Sequence, residues 1–401
     1  TMSDGGTLAG VRVVELASWF MVPGCAGILA SFGADVVKVE PAGSADPARY
    51  TRIPVDGEPI DVGFELVNNR KRSIQLDLSS EPGVEVIERL IAGADVFVTN
   101  VRARSLERMG IAPGEATERH QRLIYAHGTG YGAEGEVAGR PAFDELAYWS
   151  RGGIGAALQT DDSPPVQLYG AMGDLPSAVT LVGGIAMALY RREREGRGGI
   201  VDVSLYGGGL WANGYAVSAA LVGSPPRPQS GRRYRVNPLY TSYRCGDGRW
   251  VQFAMFQTDR FWPAVCEAIE RPGLVDDERF ATHQLRMANG VQAFDELQAA
   301  IGTITRDDLG PRLDAHDLPW SPIFDAVDAA ADEQARVNGY FPRKQHRSGT
   351  AIDTIAPPLR LRDEPHQFGP APEVGEHTEE VLLELGYDWD DIATLRERGA
   401  F

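Results

Sequence analysis

The sequence predicts an α/β protein, with an N-terminal half built on a parallel sheet and a smaller α+β module behind it. Through the first 130 or so positions, short runs rich in β-branched residues alternate with helical stretches of about 10–15 residues, the pattern of βαβ units. After Gly170 the texture changes to a long helix rich in small residues, and after a Pro- and Gly-rich stretch it changes again to mixed strands and helices. The chain has 401 residues, 43% apolar and 24% charged, which suits two or three packed domains and excludes disordered and small-scaffold classes.

The elements follow in order. Val11–Leu16 reads as a first strand, Pro23–Phe32 as a helix closed by Gly33, and Asp35–Glu40 as the next strand. An alternating strand covers Ser73–Leu78. In Glu81–Ile91 the apolar residues Val84, Val86, Ile87, Leu90 and Ile91 form a helical stripe that ends at Gly93. Strands are expected at Asp95–Thr99 and Leu123–His127, a helix at Leu175–Arg194, a strand at Ile200–Ser204 and one helix at Leu205–Leu221. Residues 223–235 read as a linker. The small module has strands at Tyr240–Arg244 and Trp250–Phe256 and helices at Thr258–Glu270, Gln292–Ile301 and Arg306–His316. Residues 349–372 read as irregular, and an amphipathic helical tail starts at Glu376. The expected domains are 1–222, 223–330 and a returning segment 331–401.

Composition excludes several functions. The net charge of −17 repels phosphate backbones, so nucleic-acid binding is not expected, although a local basic pocket for an anion is allowed. Cys25, Cys245 and Cys266 match no zinc or CxxC spacing and read as reduced thiols. The longest apolar stretch, Ala178–Tyr190, is too short to span a bilayer. The first ten residues have neither the basic nor the apolar segment of a leader, so a cytoplasmic protein without a membrane partner is expected.

The chemistry-bearing candidates are few. Gly130-Tyr-Gly132-Ala-Glu-Gly135 fits GxGxxG but runs toward Pro141 rather than opening a helix, so it reads as a flexible loop over a site and not as a dinucleotide fingerprint. GxSxG, HExxH and GxxxxGK[ST] are all missing from the sequence. No two histidines pair at metal spacing; His127 ends a predicted strand, and His377 precedes the tail helix. Two basic clusters, Asn69-Arg-Lys-Arg72 and Arg102, Arg104 and Arg108, would make one anion pocket if the fold joins them, or a solvated basic face if it does not. Asp144, after the glycine loop and at the head of a helix, reads either as an N-cap or as a carboxylate nucleophile shielded by Phe143.

Taken together, Leu8–Leu16, Gly33–Pro41, Asn68–Ser73, Gly128–Gly132, Phe143-Asp144, Gly173-Asp174, Gly198–Leu205 and Gly375–Thr378 resemble the class III coenzyme A transferases. That family includes formyl-CoA:oxalate and carnitine CoA transferases and α-methylacyl-CoA racemases. The resemblance spans nearly the whole chain. It implies a doubly wound parallel sheet completed by the C-terminal tail, an inserted small α+β domain and an interlocked homodimer. It implies an acyl-CoA donor and a carboxylic acid acceptor, with coenzyme A as a substrate and no tightly bound cofactor or metal. Asp144 matches the family's nucleophile, which forms a mixed anhydride and then an aspartyl-CoA thioester. Arg102 and Arg108 match arginines on the CoA phosphates, Arg72 and its neighbour Lys71 fall beside the nucleotide, and Lys38 or Arg49 would replace the arginine that some members carry where Pro41 stands here. Gly130, Gly132 and Gly231 are the oxyanion or lid candidates, although Gln229–Arg235 holds one glycine where other members have a run.

The racemase branch needs a histidine beside the aspartate and a glutamate in the small domain. The corresponding positions hold Phe143 and Arg244, and a phenylalanine moves no proton. A racemase or other CoA-ester isomerase and a non-catalytic CoA-binding subunit remain the alternatives. Trp19, Phe20, Phe143, Tyr148 and Tyr240 would give the acid site apolar bulk.

Overall fold

The computed structural model describes residues 5–160, 163–224 and 231–401. The chain divides into two compact units, one of Thr1–Ala157, Val166–Pro225 and Arg336–Phe401, the other of Leu158–Pro165 and Pro226–Ala335. The first unit holds six parallel strands: β1 (Arg12–Leu16), β2 (Asp35–Pro41), β3 (Arg72–Leu76), β4 (Val96–Thr99), β5 (Ile124–Thr129) and β6 (Gly199–Ser204). Their order is β3-β2-β1-β4-β5-β6, the doubly wound arrangement.

Both faces of this sheet are covered, which is why its strands are near-continuous apolar runs. The longer helices of the unit are α1 (Met21–Ser31), α2 (Val62–Val67), α3 (Glu81–Ala92), α4 (Ala103–Arg108), α5 (Pro113–Arg119), α6 (Asp174–Glu195), α7 (Leu205–Ala212), α8 (Gly214–Leu221), α9 (Thr378–Glu384) and α10 (Trp389–Glu397). On one face, Val13, Val36, Val98 and Ile124 pack with Val22, Leu29, Leu181 and Ile185 of α1 and α6. On the other, Val14, Val37, Phe97 and Tyr125 pack with Ile87 and Leu90 of α3 and with Val381, Leu382, Ile392 and Leu395 of the C-terminal helices. The tail also bonds to β3, through His377 N–H to Ser73 O (2.8 Å) and Ser73 N–H to His377 Nδ1 (3.2 Å).

The second unit has a three-stranded antiparallel sheet, Ser242–Arg244, Trp250–Phe253 and Trp320–Ile323. Its core gathers Tyr243, Phe253, Trp262, Phe294 and Leu309, with helices at Thr258–Ala268, Gly290–Ile301 and Arg306–Asp314.

Two sequence expectations are corrected, and one hairpin is added where the sequence reading assigned no element. The single helix over 205–221 is two helices, broken at Asn213, whose side-chain amide donates to Gly152 O (3.3 Å). A hairpin pairs Ile53–Val55 with Glu58–Ile60, and Asp56 and Gly57 both have positive φ in its turn, the arrangement that an Asp-Gly pair favours. A second hairpin, Arg343–Gln345 with Ala351–Asp353, runs into the stretch that reads as irregular. Part of the expected linker, residues 225–230, lies outside the described residues.

Candidate active site

Strand order reverses between β1 and β4, and ligands of doubly wound sheets bind in the crevice at the carboxyl ends of such strands. A cavity of about 950 Å³ occupies this place. Ser18 and Trp19 enter it from the end of β1, Asn100–Ser105 and Arg108 from the end of β4, and His127–Gly130 from β5; the loop ending in Phe143 closes it. Arg102, Arg104, Arg108 and Arg140 line the cavity and no Asp or Glu does. Among the described residues none of the four arginines has an ion-pair partner; Arg108 donates to Ser105 Oγ (3.1 Å). In a chain of net charge −17, this is a pocket made for a polyanion.

The arginine loop is fixed from below. Thr99 Oγ1 donates to Leu16 O (2.7 Å) and accepts Val101 N–H (3.1 Å). His127 Nε2–H donates to Val101 O (3.2 Å), and burial lowers the His127 pKa, so the ring is a neutral strut. Glycine is required at Gly130, where a Cβ would lie 2.1 Å from Ala142 Cβ across the loop.

Asp144 follows Phe143 and is 4% exposed. It starts the segment Glu145–Arg151, which is wound as a π-helix, a form found often at functional sites. Its Oδ2 accepts Gly173 N–H (2.7 Å) and Asp174 N–H (3.4 Å) at the N-terminus of α6, where backbone amides favour an anion. Oδ1 is buried and has no partner among the described residues. Any Cβ at Gly173 would sit 2.2 Å from Oδ1, so only glycine lets the carboxylate lie there. Burial raises the Asp144 pKa, the two amides oppose the rise, and Glu145 adds to it. Asp174 is pushed up to about 7 by burial and by the charges of Asp144 and Glu145. Asp144 is therefore no N-cap: its side chain makes no capping bond to its own helix and is held from another.

Trp19 stands at the mouth of the same cavity with φ +68°, a conformation that costs a non-glycine residue about 1–3 kcal/mol. Its ring meets Phe143 edge to face, with centroids 5.8 Å apart.

The comparisons with known proteins bear on this geometry. The sequence pattern of CoA-transferase family III matches residues 8–378. The chain belongs to that family. It is 34% identical over 399 residues to the (R)-2-hydroxy-4-methylpentanoate CoA-transferase of Clostridioides difficile, covering 97% of this chain and 98% of that protein. It is 30% identical to the cinnamoyl-CoA:phenyllactate CoA-transferase of Clostridium sporogenes, covering 97% and 96%. A CAIB/BAIF family protein from Brucella suis has a similar structure, with a TM-score of 0.84 at 28% identity, covering 95% of this chain and all of that one. The chain is thus a class III CoA-transferase, and enzymes of that class take CoA thioesters as substrates.

Of the residues that the sequence nominates, Arg102, Arg108, Gly130 and Gly132 line one cavity, with Asp144 next to its Phe143 wall. The remaining basic candidates need correction. Lys38 and Lys71 do not reach the cavity, because both ammonium groups are sealed against Glu15. Glu15 lies opposite Lys38 in the β1–β2 register; Lys38 Nζ donates to Glu15 Oε1 (2.7 Å) and meets Asp46 Oδ2 (2.9 Å), and Lys71 Nζ donates to Glu15 Oε2 (2.5 Å). Arg49 is bound to Glu40 (2.6 Å). Arg72 lies near the amino end of the sheet, where Asp35, Glu380 and Glu384 saturate it. The Gly132 N–H is taken by Thr129 Oγ1 (3.1 Å). Gly231 and Tyr240 belong to the second unit; Gly231 precedes the turn Arg232–Tyr234, and Tyr240 packs on Phe256.

Sequence reasoning passed over Arg140 as a pocket residue and the Gly173 and Asp174 amides as partners of Asp144. The available signal for the amides was a Gly-Asp pair heading a long helix.

One group has the composition of a metal site. Oxygens of Asp61 and Glu65 and a ring nitrogen of His346 lie within 4.8 Å of one another, all buried. Lys344 (2.6 Å from Glu65) and Arg347 (3.3 Å from Asp61) already balance the two carboxylates. His346 Nδ1 accepts Ser348 N–H (3.2 Å), which leaves the proton on the Nε2 that a metal would need. The group fits a buried ion-pair knot that ties the 343–353 hairpin to α2.

Proposed function

We propose that this enzyme moves CoA from an acyl-CoA donor to a carboxylic acid acceptor, with Asp144 as the covalent nucleophile. The observation that carries the reading is the Asp144 carboxylate itself. Two backbone amides hold one oxygen, and the other is buried and unpartnered beside an arginine-lined cavity.

The Asp144 carboxylate attacks the donor thioester carbonyl, the C–S bond breaks, and a mixed anhydride and CoA thiolate result. The thiolate attacks the aspartyl carbonyl, expels the donor's carboxylate and leaves an aspartyl-CoA thioester. The acceptor carboxylate then attacks that thioester, giving a second anhydride and free thiolate. Attack of the thiolate on the acceptor's acyl carbon yields the new acyl-CoA and regenerates the Asp144 carboxylate. The CoA phosphates pair with Arg102, Arg104, Arg108 and Arg140, which keeps the thiolate from leaving between steps. Burial of Asp144 keeps water from the anhydride. The amides on Oδ2 orient the nucleophile, and the loop through Gly130 lies over the reaction. Phe143 beside Asp144 disfavours the racemase alternative, and retention of Asp144 disfavours a non-catalytic subunit.

The acceptor is a 2-hydroxy acid with an apolar side chain. Two relatives are named for acids of that kind, and the rings of Trp19 and Phe143 support it here.

The same reading makes residues 223–330 an inserted small domain, with Gly231 as its lid glycine, and the protein an interlocked homodimer. Support for a partner comes from α8, an apolar helix with no buried residue, and from Trp211 (88% exposed) and Tyr215 (91% exposed). A cytoplasmic setting is supported by three buried, unpaired cysteines; among the described residues no helix is long and apolar enough to cross a membrane.

The test is intact-protein mass spectrometry after incubation with a panel of acyl-CoAs. A CoA-sized adduct that hydroxylamine removes, and that Asp144→Ala does not form, supports the thioester. Near-normal turnover by Asp144→Ala refutes the mechanism.

A further inference from the structure

We propose that Trp19 is the specificity-determining wall of the acyl site, and that Asp46 is the residue that positions it. The inference rests on the transferase reading above.

A tryptophan at φ +68° is an outlier that persists only where its surroundings enforce it. Here the two peptides that lead into Trp19 are clamped. Ser18 N–H donates to Asn100 Oδ1 (3.2 Å), and the Asn100 side-chain amide donates back to Ser18 O (2.8 Å). Trp19 N–H donates to Asp46 Oδ1 (3.0 Å), an oxygen that also accepts Ala48 N–H (3.0 Å). Asp46 is itself fixed, because it is 2% exposed and its Oδ2 lies 2.9 Å from Lys38 Nζ. Lys38 bonds to Glu15, and Glu15 to Lys71. The buried charges between β1, β2 and Lys71 therefore end on the backbone of one strained residue.

The strain does not serve burial. The Trp19 side chain remains 38% exposed in the cavity wall, and its edge-to-face partner Phe143 is 50% exposed. A site that needed only a left-handed turn would carry glycine. A large ring kept there, against the residue that precedes the nucleophile, is placed for a ligand. The acyl group forms on the carboxyl of the residue that follows Phe143, and in this reading its side chain meets the rings of Trp19 and Phe143. Rings in this arrangement select apolar side chains long enough to fill the space between them, branched or aromatic, over a methyl group.

The experiment uses the full-length enzyme and one donor that charges wild-type Asp144. It compares kcat/KM for three 2-hydroxy acids that differ only in side chain: lactate, 2-hydroxy-4-methylpentanoate and phenyllactate. Trp19→Gly keeps the positive φ at no steric cost, so the thermal midpoint holds. The ratio of kcat/KM for either large acid to that for lactate falls at least about tenfold, through the KM of the large acids. Asp46→Ala shifts the preference in the same direction. Asp46→Asn keeps the Oδ1 acceptor and retains the wild-type preference even if Asp46→Ala fails to fold. If Trp19→Gly charges Asp144 and keeps the wild-type preference, the inference is overturned and the transferase reading survives. A preference in Asp46→Asn as weak as in Trp19→Gly overturns the role of Asp46. No adduct on the wild-type enzyme with any donor overturns the transferase reading, and this inference with it.

Discussion

Lys71 and Arg72 carry the same charge as Arg102, Arg104 and Arg108, and both groups look like one half of an anion site when read along the chain. The structure separates them completely. Lys71 is sealed beside Lys38 around Glu15, and Arg72 is saturated by three carboxylates. The arginines after β4 line an open cavity with no carboxylate among its lining residues. What makes a basic residue a ligand site is therefore not its presence but the absence of an internal partner. Cations already paired belong to the fold, and cations left free are available to an anionic ligand.

This contrast is sharpened by removing groups from each region in turn. The largest effect belongs to Asp144, the proposed nucleophile beside the open cavity. Asp144→Ala lowers kcat by more than about 10³-fold with little change in CoA affinity, as steady-state kinetics and calorimetry will report. Next comes the sealed region. Lys38→Ala leaves Glu15 and Asp46 short of a buried partner and costs about 3–5 kcal/mol of stability in denaturant unfolding. CoA affinity of whatever remains folded stays at the wild-type value; a selective loss of CoA binding in a stable Lys38→Ala protein would return this lysine to the ligand site.

Arg102→Ala has the opposite signature. It weakens CoA binding by about 1–3 kcal/mol, roughly 5- to 150-fold, most strongly at low salt, and leaves unfolding unchanged. Arg72→Ala is the mildest of the set. Its partners are about half exposed, so its pairs contribute about 1 kcal/mol or less, and CoA titration should not register the change.

The pH dependence also separates the regions. As the proposed nucleophile, Asp144 must be ionised, and burial raises its pKa, so kcat/KM is expected to fall on the acid side at a higher pH than an ordinary aspartate would give. Glu145→Gln removes the carboxylate whose charge adds to that rise and moves the acid limb to lower pH. The stability effect has its own sign. Asp174 in the folded protein titrates near 7, well above its unfolded value, so the folded state holds an extra proton between about pH 4 and 7 and loses stability as pH rises through that window. Thermal midpoints of Asp174→Asn should therefore exceed wild type more at pH 8 than at pH 5. Equal gains at both pH values would show that the Asp174 carboxyl is not the group responsible.

Much of the fold was legible in the residues themselves. β-branched runs at Arg12–Leu16 and Asp35–Pro41 and the stripe of Glu81–Ala92 fixed strands and helix within a residue or two, because periodicity and local propensity act along the chain. The split at Asn213 escaped, since it depends on a hydrogen bond to Gly152, 61 residues away. The Asp56-Gly57 hairpin had its signal and was passed over.

By itself the sequence determined the alternation of strands and helices, the acidic balance, the family motifs and the aspartate after a glycine loop. Tertiary structure alone decided which lysines are neutralised, which arginines stay free, that Gly173 and Asp174 supply the amides to Asp144, and that Trp19 is held in a strained turn. The physical reason is that pairing in a sheet register and burial behind a helix are long-range facts. A charge reads the same in a sequence whether its partner lies 3 Å away or nowhere, and only the folded chain sets that distance.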